Sequence, residues 1–441
     1  METIETDYEA QEIISQADCE KISKEVNVVF HVLASIKFNE DLHNAVQINM
    51  INTQKIIKIC HHIQNLKSFI HVSTLFSNVN KKQEINEEIY EHALDYRQLI
   101  AIAELQKVAE ETDKAVTVNF EHDFPNTYTL TKHFAEKIVC DEAKNLPVGI
   151  FRPSIVISSY KNLPGWTDNI NTAAGHIVGY SMGYGHGWVG RQEHPFHAVP
   201  VDFCMNAIIA AAWDVSDRFR NDEKFKVPIY NYAFEGNNIN FGEMFELFKL
   251  GFHAPLEKSA YYYSFIKTSS KFYFKAINSV LTMFPAYILD AVASIQGKKA
   301  NNLRYAQKFL KFLDAMSFFT LVKFDFKSKN LPVLAAKVSK MKSYKSQLDF
   351  DLRNVDWNDF YLNFLPGIKK YFFKENMNEA NKIARSYQRW VESFTWLDQK
   401  FTWFHCRKKV LHFTLKFMLQ VFTFKKIFDV IMFTSNFVIK K

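Results

Sequence analysis

Tyr128 and Lys132 stand four residues apart in Phe124-Pro-Asn-Thr-Tyr-Thr-Leu-Thr-Lys-His-Phe-Ala-Glu136. On a helix that spacing sets a phenol and an ammonium on one face. A free phenol has a pKa of about 10, too high for a willing proton donor near neutrality. A lysine cation within a few ångströms favours the tyrosinate and lowers that value. The phenol can then protonate a carbonyl oxygen while a hydride arrives at the carbonyl carbon. Spacing alone is a weak signal, because a second Tyr-x-x-x-Lys occurs at Tyr263 and Lys267. An ordinary half-exposed helix face would read the same way, so the surrounding elements have to decide.

Those elements alternate. Val26-Asn-Val-Val-Phe-His31 is a short apolar run suited to a buried parallel strand. A helical pattern follows from about Glu40 to Ile63, then Ser68-Phe-Ile-His-Val-Ser-Thr74 as a second strand and a long polar stretch to about Glu121. The helix of Tyr128 leads into Pro147-Val-Gly-Ile-Phe-Arg-Pro153 as a third strand. Strands alternating with helices predict an α/β fold built on a parallel, doubly wound sheet. Ligands of such sheets sit at the carboxyl ends of the strands, where Ser73, Thr74, Arg152, Pro153 and Ser154 fall. Glycines and prolines clustered between Pro164 and Pro200 predict a substrate-side loop region. Pro200 to Trp213 reads as a helix with proline at its start. After about Pro255 the composition shifts to Phe-, Lys- and Leu-rich helical segments, which places a domain boundary there.

At 441 residues, 48% apolar and 23% charged, the chain is long enough for two domains with a sizeable core. Five cysteines without a C-x-x-C pair read as reduced thiols of a cytosol-facing protein, and the acidic, polar N-terminus is no secretory signal. Residues 301–441 hold 26 Lys and Arg against 11 Asp and Glu, an excess of 15, so the rest of the chain stands at −8 within a whole-chain +7. A basic, aromatic-rich end on an acidic body suits an anionic membrane surface or a phosphorylated ligand. Nucleic acid is disfavoured, since no recognition motif accompanies the charge. His61-His62 and His194-Pro-Phe-His197 lie in no H-E-x-x-H frame, so no metal is expected. Lys337 to Lys345 reads as a solvated, lysine-rich helix face. From Val410 to Ile439 two apolar halves are separated by Lys425-Lys426, and neither reaches the roughly 20 residues of a span. A membrane-associating tail over 405–441, lying in the plane of the bilayer or re-entrant, is the expectation.

In order, Val26–His31, Asn49, His71-Val-Ser-Thr74, Pro125–Lys132, Leu146–Val156 and Pro164-Gly-Trp-Thr-Asp-Asn169 resemble the fatty acyl-CoA reductases, and the insect members most. These are extended short-chain dehydrogenases with a C-terminal male-sterility domain, which Leu348–Trp357 and Gly367–Tyr371 also resemble. The likeness runs from about Val26 to Lys374. It implies a dinucleotide-binding domain over 1–255, the male-sterility domain over 256–376 and the tail over 405–441. It further implies NADPH-dependent reduction of a long-chain fatty acyl-CoA to a primary alcohol through an aldehyde. Tyr128 would be the proton donor and Lys132 would lower its pKa and hold the nicotinamide ribose. Thr74, helped by Ser73, would orient the carbonyl oxygen. Asn49 would support the helix behind the lysine, and Pro153 and Ser154 would lie against the nicotinamide. His31 and Ala34 complete the implied cofactor-binding set. Membrane lipid would be a partner, and the location a cytosol-facing membrane of the endoplasmic reticulum or peroxisome.

The chain departs from the family pattern at Val32-Leu33, at Ile51-Asn52 and at Phe76. More consequential, no glycine precedes Gly149, so the glycine-rich turn that cradles a pyrophosphate is not encoded before the first strand. The expectation is a Rossmann unit that is incomplete at its N-terminus, with Val26–His31 left as an exposed edge and NADPH not bound by the chain as written. A catalytically impaired relative that binds acyl-CoA or lipid without cofactor is the alternative. A steroid or sugar reductase is disfavoured by the Phe-rich C-terminal region.

Overall fold

The computed structural model describes residues 2–81, 84–111, 124–171, 173–236, 238–257, 265–341 and 348–377. In chain order the first elements are α1 (Gln16–Glu25), β1 (Val28–His31) and α2 (Leu42–Val46), which continues through a π-helical turn (Gln47–Ile51) into α3 (Asn52–His62). Next come β2 (Ser68–Val72), α4 (Tyr96–Glu111), α5 (Thr127–Glu142), β3 (Val148–Arg152) and β4 (Ile155–Ile157). They are followed by α6 (Ala173–Ser181), β5 (Gly187–Val189), β6 (Ala198–Pro200), α7 (Val201–Asn221), β7 (Ile229–Asn231) and α8 (Phe241–Phe248). The remainder is β8 (Ile266–Thr268), α9 (Lys271–Asn278), a second π-helical turn (Ser279–Met283), α10 (Phe284–Ile295), α11 (Asn302–Leu321), α12 (Asn330–Ser339) and α13 (Trp357–Gly367).

The chain divides into two compact units. One comprises residues 1–164, 193–244 and 322–360; the other comprises 165–192, 245–321 and the chain from Tyr361. The first contains a four-stranded, all-parallel sheet of order β1-β2-β3-β7. β2 and β3 are buried at every residue, as parallel strands covered on both faces must be. On one face Phe69, Val148, Ile150 and Ile229 pack with Met50 and Ile57 of the α2–α3 layer and with Leu130, Phe134 and Ile138 of α5. Burying side chains of this size is worth about 1.5–3 kcal/mol each. On the other face α7 lies on β2 and β3. A Cβ at Gly149 would stand 2.5 Å from Val215 Cγ2, so glycine is what lets α7 approach the central strand. Among the described residues β1 pairs only with β2, and its Val28 and Phe30 are about two-fifths exposed. That is the open apolar edge the sequence implied.

The α/β class and the strand order agree with the sequence reading, and the differences have local causes. The stretch read as polar between β2 and Tyr128 contains α4, whose Tyr96, Leu99 and Ala103 are buried on one helical stripe. The glycine-rich region read as loop contains α6, β5 and β6. There Gly179 and Gly185 each lie too close to the Phe309 ring for any side chain, so these glycines answer to packing, not to turns. α7 runs eight residues past the expected end, to Asn221. In the second unit the abundance of phenylalanine becomes a core. Phe245 sits 4.9 Å from Trp188, and Phe248 stacks on Phe364 at 5.8 Å. Lys369 is wholly buried there, donating to the Pro255 carbonyl at 3.0 Å and paired with Glu375 at 3.2 Å. Of the lysine-rich run, Lys337 binds the buried Asp214 at 2.9 Å, and residues 342–347 lie outside the described residues, as does the tail over 405–441.

Candidate active site

α5 begins where Asn126 accepts the Thr129 N–H on its side-chain oxygen at 2.9 Å, a cap that satisfies one orphan donor of the first turn. No glycine or proline interrupts it before Pro147. Tyr128, Lys132 and Glu136 therefore rise one turn at a time on a single stripe. Lys132 is 2% exposed and donates from Nζ to the Val72 carbonyl at 2.8 Å, at the carboxyl end of β2. Burial pulls its pKa down to about 8, with the Glu136 carboxylate opposing.

Tyr128 keeps part of its surface open, and its ring stacks on Phe38 at 5.9 Å. Its phenol is nonetheless enclosed enough that burial pushes the pKa up to about 12, while a side-chain hydrogen bond with Thr74 pulls the other way. The lowered phenol expected from the lysine is thus not what this geometry gives. Lys132 spends its hydrogen bond on a backbone carbonyl, and desolvation dominates at the phenol. Thr74 also accepts the Phe76 N–H at 3.3 Å, so its hydroxyl is held between the chain after β2 and Tyr128.

Ser73 does something other than assist Thr74. Its hydroxyl donates to Glu136 at 2.5 Å, and that of Ser77 donates to the same oxygen at 2.8 Å. Arg152, fully buried at the end of β3, grips Glu136 with both forks, Nε to Oε1 at 2.9 Å and Nη2 to Oε2 at 2.7 Å. Its other donors reach the carbonyls of Asn86 and Glu88 at 3.0 and 2.8 Å. Burial pushes the Glu136 pKa up, but the Arg152 charge and these hydrogen bonds hold it below the usual carboxylate range. The clamp ties β2, β3 and α5 together directly beneath Thr74 and Lys132. Sequence reading noticed Arg152 at a strand end and missed Glu136, although its position four residues after Lys132 was the available signal.

Asn49 sits inside the π-helical turn, a feature that often marks a functional position. It accepts the Ser35 N–H at 2.8 Å and donates to Thr131 at 2.9 Å, tying the segment after β1 to the turn of α5 that carries Lys132. Ala34 lies in that segment, half-buried. His31 and His71, register partners on β1 and β2, face each other with their Nδ1 atoms 3.0 Å apart. Burial first and the Lys132 charge second keep both imidazoles neutral, His31 at about 3 and His71 well below its usual range. Pro153 accepts the Leu75 N–H at 2.8 Å and thereby aligns the chain beyond β3 with that beyond β2.

Three buried polar atoms here have no partner among the described residues: His31 Nε2, His71 Nε2 and Ser154 Oγ. They lie at the carboxyl ends of three adjacent strands, with the Lys132 charge felt at both histidines, and orphaned donors and acceptors of this kind mark a place for a polar ligand. The residues present fit the nicotinamide and ribose end of a dinucleotide. For the pyrophosphate end, residues 1–148 hold no glycine turn, and among the described residues 2–27 the only regular element is α1.

A parallel α/β sheet with a Tyr-x-x-x-Lys helix at its ligand end is the framework of a nicotinamide-dependent oxidoreductase. Two male sterility protein family models match the chain, the NAD-binding one over residues 1–208 and the Sterile one over 281–375. The fatty acyl-CoA reductase wat of Drosophila melanogaster is 32% identical over 88% of this chain and 76% of its own. Fatty acyl-CoA reductase 2 of Mus musculus is 28% identical over 85% and 72%, and fatty acyl-CoA reductase 1 of Gallus gallus is 30% identical over 81% and 68%. The chain belongs to the fatty acyl-CoA reductase family.

Proposed function

We propose that this fatty acyl-CoA reductase, contrary to the expectation that the chain as written leaves NADPH unbound, uses NADPH to reduce a long-chain acyl-CoA to the primary alcohol, with an aldehyde between the two reductions. The observation that carries the reading is the convergence of Thr74, Tyr128 and Lys132 with three unpartnered polar atoms at the ends of adjacent strands. When bound, the nicotinamide supplies a hydride to the carbonyl carbon in each reduction. The first reduction ends with cleavage of the C–S bond and release of the CoA thiol; the second leaves the alcohol. Tyr128 holds the transferable proton at its hydroxyl, where a pKa of about 12 keeps it fully protonated at neutral pH. Thr74 fixes the direction of that hydroxyl and offers its own to the carbonyl oxygen. Lys132, mostly cationic at pH 7 with its pKa of about 8, keeps a positive charge one turn along α5 from Tyr128 and would hold the nicotinamide ribose. Ser154 and the His31–His71 pair present polar groups to the nicotinamide amide and ribose. Attachment to a cytosol-facing membrane of the endoplasmic reticulum or peroxisome belongs to the same reading.

Removing a positioned proton donor costs about 10²–10⁴-fold. Tyr128→Phe is expected to lose activity on that scale, followed as NADPH oxidation driven by palmitoyl-CoA with the alcohol measured by mass spectrometry, while the thermal transition stays within a few degrees of the parent. A folded Tyr128→Phe enzyme with parental turnover would remove the phenol from the mechanism.

A further inference from the structure

Lys271–Ile295 forms a nearly continuous 25-residue helix, α9 through the π turn into α10, which buries Phe274, Leu281 and Ala286 but turns a broad apolar face outward. The buried face is partly polar. Asn278 accepts the N–H groups of His186 and Gly187, both at 3.0 Å, and Thr282 donates to Asn278 at 3.1 Å and meets His186 Nδ1 at 2.9 Å. The outward face is apolar: Phe272 is 75% exposed, Tyr287 65% and Ile295 87%, with Tyr273, Phe284 and Ile288 exposed between them. Rolling the helix to hide these side chains would break the Asn278 and Thr282 bonds, so the apolar face is held outward.

Charge singles out what covers it. Lys271 and Lys275 stand at one end and Lys298 and Lys299 just past the other, all exposed and with no ion pair among the described residues. The one acidic residue between them, Asp290, is turned onto the start of α11, accepting the N–H groups of Asn302 and Leu303 at 2.9 Å each. A second copy packed antiparallel would set lysine against lysine. Residues 378–441, with 12 Lys and Arg against 4 Asp and Glu, carry the same sign. An apolar stripe with lysines at both ends matches a bilayer of anionic lipid, in which rings sit at the acyl boundary and lysines reach back to phosphates.

We propose that the outward face of Lys271–Ile295 docks in the plane of an anionic lipid bilayer. The helix lies along the surface over roughly 37 Å; it does not cross. Its inward hydrogen bonds keep it on the protein, and they position the phenylalanine, tyrosine and isoleucine side chains for insertion.

The test uses the full chain on vesicles of phosphatidylcholine with roughly 30% phosphatidylserine, some with brominated acyl chains. Phe284→Cys and Ile295→Cys each carry an environment-sensitive fluorophore, Lys224→Cys, at an exposed lysine outside this helix, is the comparison position, and the unsubstituted chain gives the labelling background. Bromolipid quenching is expected at 284 and 295 and not at 224, and roughly fivefold less of it on phosphatidylcholine alone. Because the label reports contact at its own position, attachment by another segment cannot imitate the result. Labels at Lys271→Cys and Lys298→Cys should both be reached by an impermeant quencher from outside. Absence of bromolipid quenching, shielding of 284 and 295 before lipid is added, or access to 271 and 298 from opposite sides would each overturn the proposal. The second outcome points to coverage by protein and the third to a spanning helix.

Discussion

At the scale of single residues, two buried ionisable side chains, Lys132 and Glu136, set how the candidate site responds to pH. Lys132 is held at about 8, well under its unfolded value of about 10.4. Between those two values the unfolded chain binds the extra proton, so the contribution of Lys132 to stability rises with pH. Activity should run the other way, because the cation is lost from the folded enzyme over the same interval. The pH profile of kcat/KM is expected to fall above about 8, and Lys132→Arg should move that limb out of the measured range, whatever it does to the maximum rate. A profile flat to pH 10 would disconnect Lys132 from the proton transfer. Glu136 has the opposite sign. Its depressed pKa contributes stability above the ordinary carboxylate range of about 4.3, and this is lost as pH falls through the folded value. Glu136→Gln leaves Arg152 buried without its counter-charge, and breaking such a pair costs about 3–5 kcal/mol. Urea unfolding should report a loss of that size, and a change below about 1 kcal/mol would mean that the guanidinium finds other acceptors.

At the scale of elements, α5 matters more than its length suggests, because its first three turns carry Tyr128, Lys132 and Glu136 in succession. The position of the phenol depends on how the first turn is fixed. Asn126→Ala removes the side-chain cap on Thr129 and should lower stability by about 1 kcal/mol. The turn it loosens is that of Tyr128, so turnover is expected to fall several-fold with KM for acyl-CoA little changed. Asn126→Ser, which keeps a capping oxygen, should restore most of both, and failure of that rescue would place the effect outside the cap. The π-helical turn at Asn49 works in the same way at longer range, since it fixes the Ser35 segment and the Thr131 turn through one amide.

At the scale of the whole molecule, the charge is unevenly distributed, with the excess of 15 positive charges confined to residues 301–441. Two segments of this chain are suited to an anionic surface, the outward face of Lys271–Ile295 and the apolar tail with Arg407-Lys-Lys409 and Lys440-Lys441 at its ends. Ending the chain at Phe404 should therefore move a large share of it into the soluble fraction while leaving residual, salt-sensitive binding to anionic vesicles. Raising salt from 0.1 to about 1 M shortens the screening length from about 10 to 3 Å and should release that residue. Flotation assays at the two salt concentrations separate the contributions, and an unchanged membrane fraction after truncation would locate the main attachment elsewhere.

The order of strands and helices, the helical pair Tyr128 and Lys132, and the carboxyl end of the sheet as the candidate ligand side could all be read from the sequence. Each rests on local chemistry: apolar runs for parallel strands, residues four apart on a helix, and small polar residues just past a strand end. That β1 pairs with β2 alone among the described residues also agrees with the 25 residues of no strand pattern that precede it in the sequence. What the sequence could not supply depends on which groups meet across long chain separations. The Arg152–Glu136 clamp joins residues 16 apart, and the Lys132 bond to Val72 spans 60. The resemblance implied Ser73 as a helper of Thr74, and in the tertiary structure its hydroxyl donates to Glu136. The pKa of Tyr128 was misread for the same reason, since spacing reveals the neighbouring lysine but only packing determines how much water the phenol loses. Likewise α9 and α10 fall in the stretch read only as Phe-, Lys- and Leu-rich helical segments, and only the folded chain shows that Asn278 and Thr282 face the protein while Phe272, Phe284 and Tyr287 face out.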